Sequence, residues 1–444
     1  MTSGPRSNRP RWASFLLVPS IAFAGATLAY FRIPGVASRT VWAEDGTLFL
    51  QEYIEQGPGL FNPYAGYLHF LPRAVVAFVT PVFGIESYAS AITISCCVII
   101  GLVAALTFYC SSLVTMNPVL RLCWASIPVL SAPGAIETLG NVANLHWYLL
   151  WLAPWVLLKT PSTLSQGILL GSTALIIGLT EIQSALFLPL VFLRAENRGL
   201  WWAKTGLATG IAAQLFTLWM FPRPEGGTGE QGDLLSVVYG YLLNTSAAIF
   251  YGDSPTIIDL IQRFGYAPII LTAIPFALIT YLLLRLGDPL QRFMGCMWLI
   301  ASAVIWAAAV VVNPAPYFHY SQFTSTTDWA DFLLSRYSAV PSMFLIALLP
   351  LLASSTPERE TIPTRLAAQV GTPQFRGGIV GAFIILQTVY FFPVTDLRSF
   401  GPEWAPQVRV AEEACRIDPS LQSVDIKQAP GSWVTEIPCT ELRP

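Results

Sequence analysis

Charge is what this chain has least of. Of its 444 residues only 11% are Asp, Glu, Lys or Arg; lysine occurs three times (Lys159, Lys204, Lys427) and so does histidine (His69, His146, His319). Water-soluble domains carry roughly a quarter charged residues, so an ordinary soluble fold is excluded and lipid is the expected solvent. Net charge is −2 with no basic stripe, which excludes a nucleic-acid partner, because phosphate backbones call for Lys and Arg along one face. Cysteine is equally scarce in polar sequence. Cys96, Cys97, Cys110, Cys123 and Cys296 fall in apolar runs and read as small hydrophobes. Cys415 and Cys439 stand alone in the polar tail; they pair as a disulfide if the tail lies in an oxidising compartment, and are free thiols otherwise. No fixed-period repeat is present, and the glycines Gly226, Gly227, Gly229 and Gly232 lack the Lys and Ser/Thr of a nucleotide loop, so they read as a flexible loop.

What the chain has is apolar sequence, 54% of it. Arg6, Arg9 and Arg11 precede an apolar run over 12–33 that is too long for a secretory leader and has no small-residue cleavage site. It is predicted to be a retained signal anchor with a cytoplasmic N-terminus. Further runs follow at 68–83, 88–113, 120–130, 145–158, 167–179, 186–193, 205–221, 267–284, 293–312, 339–352 and 379–392. Basic clusters (Arg194, Arg198 and Lys204; Arg285 and Arg292; Arg359, Arg365 and Arg376) mark cytoplasmic ends, which turns 222–266, 313–338 and the tail outward.

An inside N-terminus with an outside C-terminus requires an odd number of crossings, so one of the twelve runs is not a crossing. The suspects lie between 120 and 193, where Glu137, Asn141, Asn144, His146, Glu181 and Gln183 interrupt short apolar pieces in the manner of broken or re-entrant helices. The predicted fold is an all-α polytopic membrane protein with about 11 transmembrane helices. Its transmembrane domain covers 1–393 and includes an outer first loop, 34–67; a small extracytoplasmic tail covers 394–444. Arginine far outnumbers lysine, as in GC-rich bacterial genomes, and the expected location is a bacterial plasma membrane.

The first outer loop carries adjacent carboxylates, Glu44 and Asp45, followed by Asn62, Pro63, Tyr64 and then His69 and Arg73. Two neighbouring carboxylates at a membrane surface want a cation or a proton. An acidic pair in the first outer loop, directly after the first helix of a many-spanning protein, resembles the GT-C superfamily of polytopic membrane glycosyltransferases, which use polyprenyl-phosphate-linked sugar donors. The resemblance covers the topology and this one short motif. It implies an inverting sugar transfer at the extracytoplasmic face, with Asp45 as the base and Glu44 as its partner, and in some members a divalent metal. No second motif selects a particular family within it, and the tail is smaller than the soluble domains some members carry, so the sugar and the glycan, lipid or protein acceptor do not transfer.

The residues give the same chemistry from below. Sugar transfer needs a carboxylate to take the acceptor's proton and cationic donors for the departing phosphate. Glu44 and Asp45 suit the first role; His69, Arg73, His319 and Arg336 suit the second. His69 and Arg73 are four apart and share a helix face, although an arginine near a helix end also snorkels with no ligand. The segment from Glu137 to Trp147 places Glu137, Asn141, Asn144 and His146 at membrane depth, where polar groups face a wet cavity. A Mg or Mn ion on Glu44 and Asp45 is the cofactor reading, and His69 and His146 have no metal-ligand spacing. Tyr317, Tyr320, Trp147 and Trp151 fit an interfacial belt as well as a substrate platform. Glu181 and Gln183 either line a groove or cap a broken helix. The alternative function is a membrane transporter or flippase for a glycolipid or polar substrate, which would also use broken helices. On the leading reading, Asp45→Asn abolishes transfer and leaves folding intact.

Overall fold

The computed structural model describes residues 11–443 except 132–136, 195, 224–231, 331, 356–371 and 394–396. Arg6, Arg9, Gly226, Gly227, Gly229, Asp331, Arg359, Arg365 and the side chain of Arg11 lie outside the described residues.

The chain is a helical membrane protein. Among the described residues, five helices are long and apolar enough to cross a bilayer: Phe70–Leu113, Leu234–Tyr251, Ala267–Leu286, Pro289–Val312 and Arg336–Ser354. Shorter apolar helices fill the gaps between them. The helices used below are α1 (Arg11–Arg32), α2 (Phe70–Cys110), α3 (Pro118–Leu130), α4 (Leu145–Leu158), α5 (Leu164–Thr180), α6 (Trp201–Met220), α7 (Leu234–Tyr241), α8 (Ser254–Phe264), α9 (Ala273–Leu286), α10 (Pro289–Val312), α11 (Ala339–Ser354), α12 (Pro373–Thr388) and α13 (Trp404–Ile417). Among the described residues the strands form two antiparallel hairpins, β1 (Pro63–Tyr64) with β2 (Tyr67–Leu68), and β3 (Ser423–Lys427) with β4 (Val434–Pro438).

Two of these stretches are not single regular α-helices. α2 breaks at Gly84, whose φ of 74° an L-residue rarely adopts. Leu71, before the break, donates its N–H to Thr180 at the end of α5, while Ile85, after it, accepts from the Trp404 indole of the tail. Phe78 and Phe83, before the break, are exposed. Leu234–Tyr251 is interrupted by a π-helical stretch at Leu242–Ala247; Asp233 before it bonds Ser321 and Ser254 after it bonds Leu334. Conversely, Ile182–Val191 is too short to cross as an α-helix but is wound as a 3-10 helix. Its rise of about 2 Å per residue carries ten residues as far as thirteen α-helical ones.

The centre of the bundle is α4 and α11, buried on every side. Both are apolar all round, and a helix with no polar face is placed where no water reaches it. Around them Trp124, Trp151, Trp155 and Trp298 interlock, with ring centroids 5.2–5.9 Å apart. α5 and α6 approach closely enough that a Cβ added to Gly206 would lie 2.2 Å from the Gly171 carbonyl, the small-residue contact by which membrane helices gain dispersion energy without a hydrophobic drive. Lipid-facing surface is supplied by residues such as Phe23, Phe216, Trp219 and Ile385.

The tail is not a detached appendage. Cys415 and Cys439 are disulfide-bonded, tying α13 to the end of the β3–β4 hairpin. The hairpin turn then pairs with the first loop: Ala43 N–H donates to the Ala429 carbonyl at 2.6 Å and Ala429 N–H to Val41 at 2.9 Å. Two buried arginines stitch the same end together. Arg32 donates to main-chain oxygens of Val129, Ser131 and Phe391. Arg398 donates to Leu139, Gly140 and Thr40 carbonyls and to the Thr93 hydroxyl at 2.9–3.1 Å.

Candidate functional site

The first loop, the connection before α4, the connection before α11 and the tail hairpin meet at one end of the bundle. Asp45 and Glu44 separate there. Asp45 is 1% exposed, and its carboxylate accepts from the main-chain N–H groups of Val142 (3.0 Å) and Ala143 (2.9 Å). The Asp45 carbonyl accepts from the Tyr88 hydroxyl at 2.7 Å. Burial pushes the Asp45 carboxyl up to about 7, against the downward pull of those N–H bonds and of Arg398. The residue clasps the loop that follows α3 to the first loop, and it lines neither cavity described below.

Glu44 lines both. The smaller cavity, about 220 Å³, has Glu44, Tyr64, Tyr67, His69, Asn144, His146, Glu181, Gln183, Arg223 and Arg336 in its lining, beside apolar residues such as Phe49, Trp147 and Val312. The larger, about 700 Å³, has Trp42, Tyr317, Phe318, Phe323, Leu334 and Trp433 in its walls, together with Glu44, Glu137, Asp328 and Arg336. Glu44, Arg336 and Tyr337 belong to both linings and form the partition. Arg336 stands between two carboxylates, 3.5 Å from Glu44 and 3.3 Å from Glu137, and its main-chain N–H bonds the other Glu137 oxygen at 3.1 Å. Burial raises the Glu137 carboxyl while Arg336 pulls it down. The remaining Glu44 oxygen, Oε2, is buried without a hydrogen-bond partner. An unpartnered buried oxygen is costly unless something else comes to it.

The second polar pair is His146 and Glu181. His146 Nδ1 and Glu181 Oε2 are hydrogen-bonded, and the imidazole also packs on Trp147 with centroids 4.2 Å apart. Glu181 Oε1 accepts from the Gln183 N–H at 2.7 Å. Glu181 thus does both things its sequence position allowed, capping the 3-10 segment and facing the cavity. Asn144 lines the small cavity and is locked by Asn141, whose side chain accepts the Asn144 N–H at 3.0 Å; both amides donate to the Glu137 carbonyl. Asn141 is a loop-shaping residue outside both linings.

Three residues expected to meet phosphate are placed elsewhere or in another state. Arg73 is buried against Glu52 (2.7 Å) and over the Phe49 ring, away from both linings. His69 does line the small cavity, but it is enclosed by Phe49, Tyr64 and Tyr67 rings, and burial lowers its pKa to about 3. It is therefore neutral, with no well-formed hydrogen bond on either ring nitrogen beyond what the Tyr64 main chain offers. His319 sits beside Gly232 and Asp233, outside both linings. Nor do Glu44 and Asp45 converge on a common point: one faces Arg336, the other two backbone N–H groups. The donor set for a metal held by this pair does not fit, and among the described residues no group of three His, Cys, Asp or Glu side chains comes together.

Sequence reasoning missed Arg223, which lines the small cavity and donates to the Asn313 side chain at 2.7 Å. The signal was available: an arginine in 222–266, a segment the basic clusters lead one to expect outside, breaks the usual bias of basic residues toward the cytoplasm. It also missed Tyr67, which lines the small cavity against His69, and Trp42, Trp433 and Arg398, which carry no motif and acquire a role only when the tail folds back on the first loop. No known family, characterised protein or solved structure matches the chain.

Proposed function

We propose that the protein is an inverting membrane glycosyltransferase of GT-C type, drawing on a polyprenyl-phosphate-linked sugar, with Glu44 rather than Asp45 as the base. The carrying observation is the Glu44 carboxylate on the partition between two cavities, one oxygen facing Arg336 and the other unpartnered. In the proposed step an acceptor hydroxyl attacks the anomeric carbon while the bond from that carbon to the carrier phosphate breaks. The hydroxyl proton passes to Glu44 and the polyprenyl phosphate leaves with the bonding pair. Arg336, held in place by Glu137, faces the phosphate as its charge grows, and Arg223 supplies a second guanidinium to the small cavity. Negative charge near the sugar also favours a transition state with oxocarbenium character. His146, fixed by Glu181, and Asn144 offer hydrogen bonds to sugar hydroxyls.

The helix path supports eleven passes. Setting aside the 70–83 piece and the α7 stretch, the chain alternates through α1, the rest of α2, α3, α4, α5, the 3-10 segment, α6, α9, α10, α11 and α12. This puts the acidic loop, Arg336 and the tail at one end and Lys159, Lys204, Arg285 and Arg292 at the other, which the positive-inside bias makes extracytoplasmic and cytoplasmic. The residue composition favours a bacterial plasma membrane.

Purified protein in lipid nanodiscs should consume polyprenyl-phosphate monosaccharides from a panel of hexose and pentose donors, releasing polyprenyl phosphate, and Glu44→Gln should stop it. Vectorial movement of the intact glycolipid with no cleavage would instead establish the transporter or flippase reading.

A further inference from the structure

The larger cavity is not needed for the bond-breaking step, and its walls say what it takes. We infer that it is the binding cleft for a carbohydrate chain, and that the C-terminal tail exists in part to supply one wall of it. This rests on the transferase reading for its purpose, but the binding claim stands on geometry.

The cleft is about 700 Å³ and open on one side, room for a few sugar rings. Trp42, Trp433 and Tyr317 line it, from the first loop, the tail hairpin and the connection before α11. Trp42 is 3% exposed, and its buried indole N–H has no hydrogen-bond partner. The Glu44 Oε2 atom is likewise buried and unpartnered, and Arg336 and Asp328 complete the set. A lining that combines aromatic side chains with charged and polar ones matches a sugar, whose C–H faces stack on aromatic rings and whose hydroxyls both donate and accept. An isoprenoid chain offers no hydrogen bond and would leave the Trp42 N–H and the Glu44 carboxylate oxygen unsatisfied. The cleft is also walled by loops and the tail beyond the helix ends, not by lipid-facing helix flanks.

The tail's part is specific. The backbone pairing of Ala43 with Ala429 sets Trp433 next to Trp42, and the disulfide holds the hairpin on α13. Removing the tail's ring should leave the catalytic partition in place and weaken the chain's grip on an extended acceptor.

Saturation-transfer NMR on the full-length protein in detergent, with neutral tetra- to hexasaccharides from glucan, mannan, galactan and arabinan as probes and farnesyl phosphate as the lipid competitor, tests this. At least one oligosaccharide should bind, should not be displaced by farnesyl phosphate, and should bind about tenfold more weakly to Trp433→Ala. Tyr317→Ala guards against a folding failure, because that ring is 60% exposed and its loss empties no core; it should weaken the same ligand. Trp433→Phe should restore most of the affinity. Binding of none of the oligosaccharides, binding indifferent to Trp433→Ala and Tyr317→Ala, or displacement by farnesyl phosphate overturns the inference. Because binding is read without turnover, an oligosaccharide that binds a protein inactive on every donor would preserve the cleft and count against the transferase reading. Transfer without oligosaccharide binding would do the reverse.

Discussion

Two polar regions lie side by side at this end of the bundle, and they are built on opposite principles. Around Asp45 and Arg398 the polar groups are hydrogen-bonded to main chain: the carboxylate caps Val142 and Ala143, and the guanidinium gathers carbonyls of Thr40, Leu139 and Gly140. Around Glu44 and Arg336 the pairings are long, and a carboxylate oxygen is left over. A closed network specifies a structure; an open one beside a cavity has capacity left for something that is not protein. Adjacent residues of the same charge thus have unlike tasks, and the difference comes from what folds over each.

The largest effect expected from breaking this comparison is on the open side. Glu44→Gln should lower sugar transfer by about 100-fold to 10,000-fold, the range for losing a general base, with the thermal unfolding temperature little changed. Arg336→Lys keeps the charge but loses the forked geometry shared between Glu44 and Glu137, and turnover should fall about 100-fold or more, as when one donor to a developing anion is removed. On the closed side the effect moves from rate to stability. Asp45→Asn leaves one of the two N–H groups facing an amide NH2, and calorimetry or a thermal-shift assay should show a loss of about 1–3 kcal/mol.

The smallest effect is a pH dependence. A carboxyl whose pKa is about 7 folded and near 3.8 unfolded binds its proton more tightly in the folded state. Folding therefore gains as pH falls through 7 and loses as pH rises through it. Wild-type protein should melt higher at pH 6 than at pH 8, and Asp45→Asn should flatten that slope. A slope unchanged in Asp45→Asn would assign it to another group.

Much of the architecture was legible because lipid leaves few choices. Low charge, apolar runs and the placement of arginines pointed to a helical membrane protein, and the tail cysteines suggested their own pairing. The break at Gly84 and the 3-10 winding of Ile182–Val191 were not legible, because composition signals neither a backbone kink nor a change of helix type. At the site, Glu137, Asn144 and His146 were legible as polar residues at membrane depth, and Glu44 and Arg336 as an outer-loop acid and a cation suited to phosphate. Asp45 and Arg73 were singled out on the same grounds as Glu44 and Arg336 and were consumed by structure, since a buried charge needs a partner whether or not it has a function. Trp42, Trp433 and Arg223 were illegible as a group because contacts between the first loop, the segment after α6 and the tail are set only by the folded chain.

The most direct test of the account is a crossed comparison of Glu44→Gln and Asp45→Asn in the same nanodiscs, measuring released polyprenyl phosphate per folded molecule beside the melting temperature. The account predicts a stable, inactive Glu44→Gln and a destabilised Asp45→Asn whose folded fraction still turns over. A stable, inactive Asp45→Asn together with an active Glu44→Gln would contradict it.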